Sequence, residues 1–227
     1  MLIISTIWSQ FRHSERVQTH RMKHFLRILV LGMGLAAPLG ALAAPPPPAA
    51  IPVQALDNAL AATMKAASAG QSFNARAAAL APVIARTYDL PEVAKNSVGF
   101  LWGTLPAAQQ KELTSLFAQF TVASYVSQFN ADNGLKFELL PTEKDLGAKR
   151  IVQTRLVPAD GGGATELDYV VAHDANGWRI TDVLLDGTIS QVAVHASDFA
   201  SLVKAGDATP LIAALKRKIT ALSGTPS

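Results

Sequence analysis

The chain has 227 residues, 49% of them apolar and 16% charged, with 20 Lys and Arg against 17 Asp and Glu and no cysteine. Disulfides, thiol catalysis and Cys-based metal sites are thereby excluded. The positive balance does not argue for nucleic acid, because five bases (Arg12, Arg16, Arg21, Lys23, Arg27) and one acid (Glu15) precede Ala44, leaving 15 bases and 16 acids from there on.

Met22-Lys23-His24-Phe25-Leu26-Arg27 is a short basic segment, followed by an apolar run from Ile28 to Leu39 and by Ala41-Leu42-Ala43, the small-x-small pattern of signal peptidase. The run is about a dozen residues, short of the roughly 20 that span a bilayer, and it contains Gly32, Gly34 and Pro38. Residues 1–43 are therefore expected to be a cleaved signal-peptide region, with translation starting at Met22 and the product exported to the periplasm. Residues 44–52, with Pro45 to Pro48, read as an extended spacer. Residues 53–227 suit one domain held by its own core.

From Val53 the period is helical. Val53, Leu56, Leu60 and Met64 share a face and Gly70 stops the run. Ser72 is a candidate cap for a second helix carrying Ala77, Leu80 and Ile84. Asp89-Leu90-Pro91-Glu92 is a helix start, with Asp as cap and Pro in the first turn. That helix is expected to end near Gly99, ahead of Phe100-Leu101-Trp102-Gly103. Thr104-Leu105-Pro106 opens the longest helix, whose apolar face carries Leu113, Leu116, Phe117, Phe120, Ala123 and Phe129 and which Asn133-Gly134 is expected to end.

The period then changes to two. Phe137–Leu140, Arg150–Val157, Glu166–His173 and Trp178–Leu185 read as four strands, linked by Asp160-Gly161-Gly162-Gly163 and Asp174-Ala175-Asn176-Gly177. After Gly187 a helical pattern returns through Ile189, Val192 and Val194, and a last helix after Pro210 presents Leu211, Ile212, Leu215, Ile219 and Leu222. The fold class is α+β: N-terminal helices, a four-stranded antiparallel sheet and C-terminal helices, the helices packing on one face.

Tyr169 to Ala172 and Val183 to Leu185 are unbroken apolar runs, whereas a sheet with one wet face alternates. Either helices cover both faces there and the strands are ordinary core, or helices stand off the sheet and leave an apolar cleft. The ring stripe of Phe117, Phe120, Tyr125 and Phe129 is open to the same two readings.

Catalytic patterns are sparse. Past the leader only His173 and His195 remain, with no HxxxH or HxxE spacing for zinc. Ser190, His195 and Asp198 would have to converge from one helix, with no G-x-S-x-G elbow. Asp182 and Asp186 are spaced to share a strand face but read as solvated strand-end acids. No nucleotide-binding glycine motif is present, and no cofactor or metal is expected. Lys216-Arg217-Lys218 reads as a solvated basic face or as a contact for an anionic partner or membrane headgroups.

Several separated pieces together resemble the MlaC/toluene-tolerance family of periplasmic phospholipid-shuttle proteins. These are Leu105-Pro106-Ala107-Ala108-Gln109-Gln110 with Phe117, Phe120 and Thr121 to Val126; Gly177-Trp178 with Asp182-Val183 and Gly187; and Asp198-Phe199 with the Leu211–Lys218 helix. Gly187-Thr188-Ile189-Ser190, where many relatives have Gly-Val-Ser, points to the hopanoid-associated HpnM branch. Ala196 departs from the family, in which an Arg is common before the position of Ser197.

The resemblance implies a deep apolar pocket between sheet and helices and no catalysis. It also implies a phospholipid or hopanoid-type cargo carried by a monomer between an outer-membrane lipoprotein complex and an inner-membrane ABC transporter. Candidate lining residues are Phe100, Trp102, Phe117, Phe120, Tyr125, Tyr169, Val171, Ile180, Val183, Leu185, Ile189 and Val192. The competing readings are an enzyme on a hopanoid-like substrate, with Asp182, Tyr169 and Tyr125 as its acid/base groups, and a ligand-free adaptor using Lys216 to Lys218.

Overall fold

The computed structural model describes residues 46–224; the expected leader, its cleavage site and the start at Met22 lie outside the described residues. The spacer ends earlier than its proline content suggests. Pro48–Ala50 form a 3₁₀ turn with Ala49 and Ala50 buried, and helix α1 runs Ile51–Ser68. Proline is tolerated there because the first helical N–H groups have no intrahelical partner to lose.

Helix α2 spans Phe73–Thr87, with the Ser72 side chain accepting from the Ala75 N–H at 3.2 Å. Helix α3, Leu90–Val98, is capped by Asp89, which accepts from the Glu92 N–H at 3.2 Å. A 3₁₀ segment, Gly99–Thr104, leads into helix α4, Ala107–Gln128. The long helix stops five residues before Asn133, not at it. Phe129 leaves helical geometry to pack against Tyr125 at 6.1 Å and Phe137 at 5.6 Å between ring centroids. Its terminal carbonyls are met by buried Arg76 of α2, whose guanidinium donates to Val126 O at 3.0 Å and Phe129 O at 3.4 Å.

The sheet is β1 (Lys136–Leu146), β2 (Lys149–Val157), β3 (Thr165–Asp174), β4 (Gly177–Leu185) and β5 (Ile189–Ser190), antiparallel throughout in the order of the chain. Two corrections follow. β1 continues past Leu140 because a register shift between Leu139 and Glu143 accommodates Pro141 on this edge strand. There are five strands rather than four, because the turn at Asp186 and Gly187, both with positive φ, folds Ile189 back beside Leu185 instead of starting a helix. Any side chain at 187 would be strained: its φ is +67° and a Cβ would lie 3.0 Å from Glu166 Oε2.

Helix α5 covers Gln191–Phe199 and α6 covers Thr209–Ser223. Leu167 to Val171 of β3 are all buried, so both faces of the sheet are covered at its centre. That burial accounts for the broken alternation. Arg179 ties the sheet to the helices by donating to Asp174 and, at 3.4 Å, to the capping residue Asp89.

Candidate functional site

Helix α4 buries Leu113, Leu116, Phe117, Phe120, Val122, Ala123, Ser124 and Val126, while Lys111, Ser115 and Gln119 in its first half stay exposed. It is an amphipathic helix whose second half is the more deeply buried. Its middle carries an aromatic cluster. His195 of α5 stacks on Phe199 at 5.4 Å and meets Phe117 and Phe120 edge-on at 6.4 and 5.8 Å. Lys218 of α6 places its Nζ 5.9 Å from the Phe120 ring and 5.7 Å from Phe199. Lys218 follows Leu211 by two helical turns and lies on the apolar side of α6. Among the described residues it makes no ion pair, whereas Lys216 binds Glu112 at 2.7 Å and Arg217 is exposed. The basic triplet therefore does not act as a unit. Burial first, then the Lys218 charge, drives the His195 imidazole down to about 4, so it is neutral at pH 7.

A second cluster lies toward the end of α4. Tyr88 and Tyr125 share a hydroxyl hydrogen bond of 2.5 Å. Tyr169 of β3 is fully buried and its hydroxyl has no partner. Asp57 of α1 is 7% exposed, and its Oδ1 is also unpartnered. Burial raises the Asp57 carboxyl to about 7. It also raises Tyr88 and Tyr169 well above the ordinary phenol range and Tyr125 to about 12, and the Asp57 charge adds to the rise of all three. Asp57 was not singled out from the sequence. The available signal was its spacing: 53, 57, 60 and 64 trace one helical stripe, and an acid on it has to be buried.

The expected lining residues divide. Phe117, Phe120, Tyr169, Val171, Ile180 and Leu185 are buried, and Trp102, Tyr125, Val183 and Val192 are half-buried. Cross-strand register puts Tyr169 opposite Val183, Leu167 opposite Leu185 and Val171 opposite Ile180. Phe100 is 93% exposed and Ile189 is 43% exposed. The first sits in the 3₁₀ segment that follows positive-φ Gly99, and the second on the two-residue edge strand. Tyr125 and His195 combine two properties: both are strongly desolvated, yet both keep part of their accessible surface.

The candidate catalytic groups have structural work. Asp182 accepts from Ser190 Oγ at 2.5 Å, Val192 N at 3.1 Å and Val183 N at 2.8 Å. Ser190 Oγ in turn accepts from Ala193 N at 3.0 Å, so the two residues cap α5. His173 packs edge-on against Trp178 at 5.2 Å.

The sequence pattern of the family described as "MlaC protein" matches residues 54–217. Comparison with curated proteins gives no match. Among solved structures, the chain is similar to the phospholipid-binding protein of Ralstonia solanacearum in complex with a phospholipid. The TM-score is 0.65 and the identity 20%, over 78% of this chain and 99% of the other.

Proposed function

The chain belongs to the MlaC family, and from that premise we propose that it is a periplasmic carrier that encloses the acyl chains of one phospholipid and hands the lipid between membrane-bound partners. The observation that carries this reading is the family match over residues 54–217. In this reading the acyl chains lie along α4, beside the aromatic cluster and the tyrosines. The fold likeness to a protein solved with phospholipid bound supports the same reading.

The chemistry of the walls suits an amphiphile. Each CH₂ removed from water contributes about 0.8 kcal/mol, so undirected apolar contacts are enough to hold acyl chains. Neutral His195 adds no charge to the wall. Half-buried Lys218 supplies one cation for the headgroup phosphate. An outer-membrane lipoprotein complex and an inner-membrane ABC transporter are the proposed donor and acceptor, and a hopanoid-type lipid is the narrower proposed cargo of the HpnM branch. In a vesicle assay, the protein accelerates transfer of a labelled diacyl phospholipid from donor to acceptor liposomes in proportion to its concentration. Transfer no faster than the spontaneous rate refutes the carrier reading.

A further inference from the structure

The stretch from Asn96 to Gln110 carries no charged residue and is bounded by Lys95 and Lys111. Its 3₁₀ segment, Gly99–Thr104, leaves Phe100 93% exposed beside half-buried Leu101 and Trp102, and Gly103, Pro106, Ala107 and Ala108 are exposed with it. Large apolar side chains left together in water mark a surface that an apolar partner or medium covers. We propose that this tip is a membrane-docking wedge, with Phe100 and Trp102 entering the interfacial layer of a bilayer that contains anionic lipid. Docking of this kind does not require that the protein carry a lipid.

The tip is braced. The Thr104 hydroxyl donates to Leu101 O at 2.7 Å and accepts from Gly206 N at 3.1 Å. The Gln110 amide donates to Trp102 O at 2.9 Å and to Leu105 O at 3.1 Å, and the Leu105 N–H donates to Trp102 O at 3.2 Å. Phe100 is therefore presented by a fixed scaffold, and folding it inward would break these bonds.

The same bonds select the occupant. A protein partner is held in register by hydrogen bonds and charges as well as by apolar contact. This tip has no charge to offer, and the Leu101 and Trp102 carbonyls are already bonded. An undirected apolar layer loses nothing by that, because few polar groups have to give up water on entry. A protruding Phe with a Trp at its shoulder also matches the preference of aromatic rings for the headgroup level. Charge agrees. Lys95 lies in the last turn of α3, Lys111 follows the bracing Gln110, and Lys204 belongs to the turn whose Gly206 bonds Thr104; all three are exposed. Of the nearby acids, Glu92 is held by Asn96 at 3.0 Å and Lys95 at 3.6 Å, Asp207 accepts from Thr209 N at 2.8 Å, and Glu112 is offset by Lys216 at 2.7 Å. Three lysines against Glu92 and Asp207 leave a positive rim, which complements anionic headgroups.

Flotation with mixed phosphatidylcholine–phosphatidylglycerol vesicles reads docking directly. Wild-type protein is expected to float with the vesicles, and Phe100→Ser to bind them about tenfold more weakly, the order expected for one Phe side chain leaving water. The ring is exposed, so the substitution should leave the melting temperature unchanged. Lys111→Gln combined with Lys204→Gln should weaken binding to the mixed vesicles and not to pure phosphatidylcholine. In Trp178→Phe, Trp102 is the single Trp from Ala44 onward. Vesicles with brominated acyl chains should quench it, and the quenching should disappear when the vesicles are spun out. No binding by wild type, equal binding by wild type and Phe100→Ser, or quenching that persists without the vesicles each overturn the wedge; the last result would mean that Trp102 faces carried lipid. A wild-type dimer that Phe100→Ser makes monomeric also overturns it and assigns the tip to a second copy of the chain.

Discussion

Two buried titrating groups of opposite sense should partly cancel in the pH dependence of this protein's stability, and a single substitution should expose the cancellation. Asp57 has its carboxyl raised from 3.8 to about 7. Between those values the folded state holds a proton that the unfolded chain has released, so Asp57 makes stability fall as pH rises, by about 1.4 kcal/mol per pH unit and about 4 kcal/mol over the interval. His195 is lowered from 6.5 to about 4. There the unfolded chain holds the proton, so His195 makes stability rise with pH, with a smaller slope because its ring keeps some accessible surface. The two contributions oppose each other between about pH 4 and pH 6.5. Asp57→Asn removes the falling limb, so its stability should climb with pH across this window. His195→Gln removes the rising limb, so its stability should drop. Urea unfolding at half-unit steps from pH 4 to pH 8 measures both slopes, and comparison among the three proteins cancels the remaining groups. Equal pH slopes in wild type and Asp57→Asn would refute the burial and protonation assigned to Asp57.

Three further outcomes are expected. Phe117→Ala, which empties a fully buried ring position under His195 and Phe199, should cost about 3–5 kcal/mol in urea unfolding, and a loss under 1 kcal/mol would contradict the packing described. Gly187→Ala should cost about 1–2 kcal/mol, since the residue is at φ +67° with Glu166 Oε2 in the way; Gly147→Ala, also at positive φ but with open space around the Cβ, should cost less. Lys218→Met keeps the apolar stem over Phe120 and Phe199 and removes the charge, so it should leave the melting temperature within a few degrees and slow vesicle transfer of anionic phospholipid. Unchanged transfer would remove Lys218 from the headgroup contact.

Much of the fold was legible because local signals were strong. Ser72 and Asp89 cap the helices they precede, and the two hairpin loops after β2 and β3 set an antiparallel order. The misses have two causes, packing contacts across the chain and local backbone geometry. α4 stops at Gln128 because Phe129 has Phe137 to pack against and Arg76 to take the carbonyl. The edge strands β1 and β5 follow from a bulge and a tight turn that apolar periodicity does not encode. The aromatic residues along α4 were legible in the sequence, but not their division into two clusters. Lys218 reads as part of a basic triplet until its stem is seen on two rings, and Asp57 drew no reading at all until its burial was seen. Phe100 looked like a lining residue because it is large and apolar, yet the segment that follows Gly99 leaves it on the surface.

The central claim is that the interior along α4 holds a phospholipid. Native mass spectrometry of the protein taken from its own cells, followed by lipid extraction, tests it most directly. The account predicts a one-to-one complex whose extracted lipid is a diacyl phospholipid or a hopanoid-type lipid. Protein that is lipid-free as isolated, and that stays lipid-free after incubation with phospholipid vesicles, would contradict it.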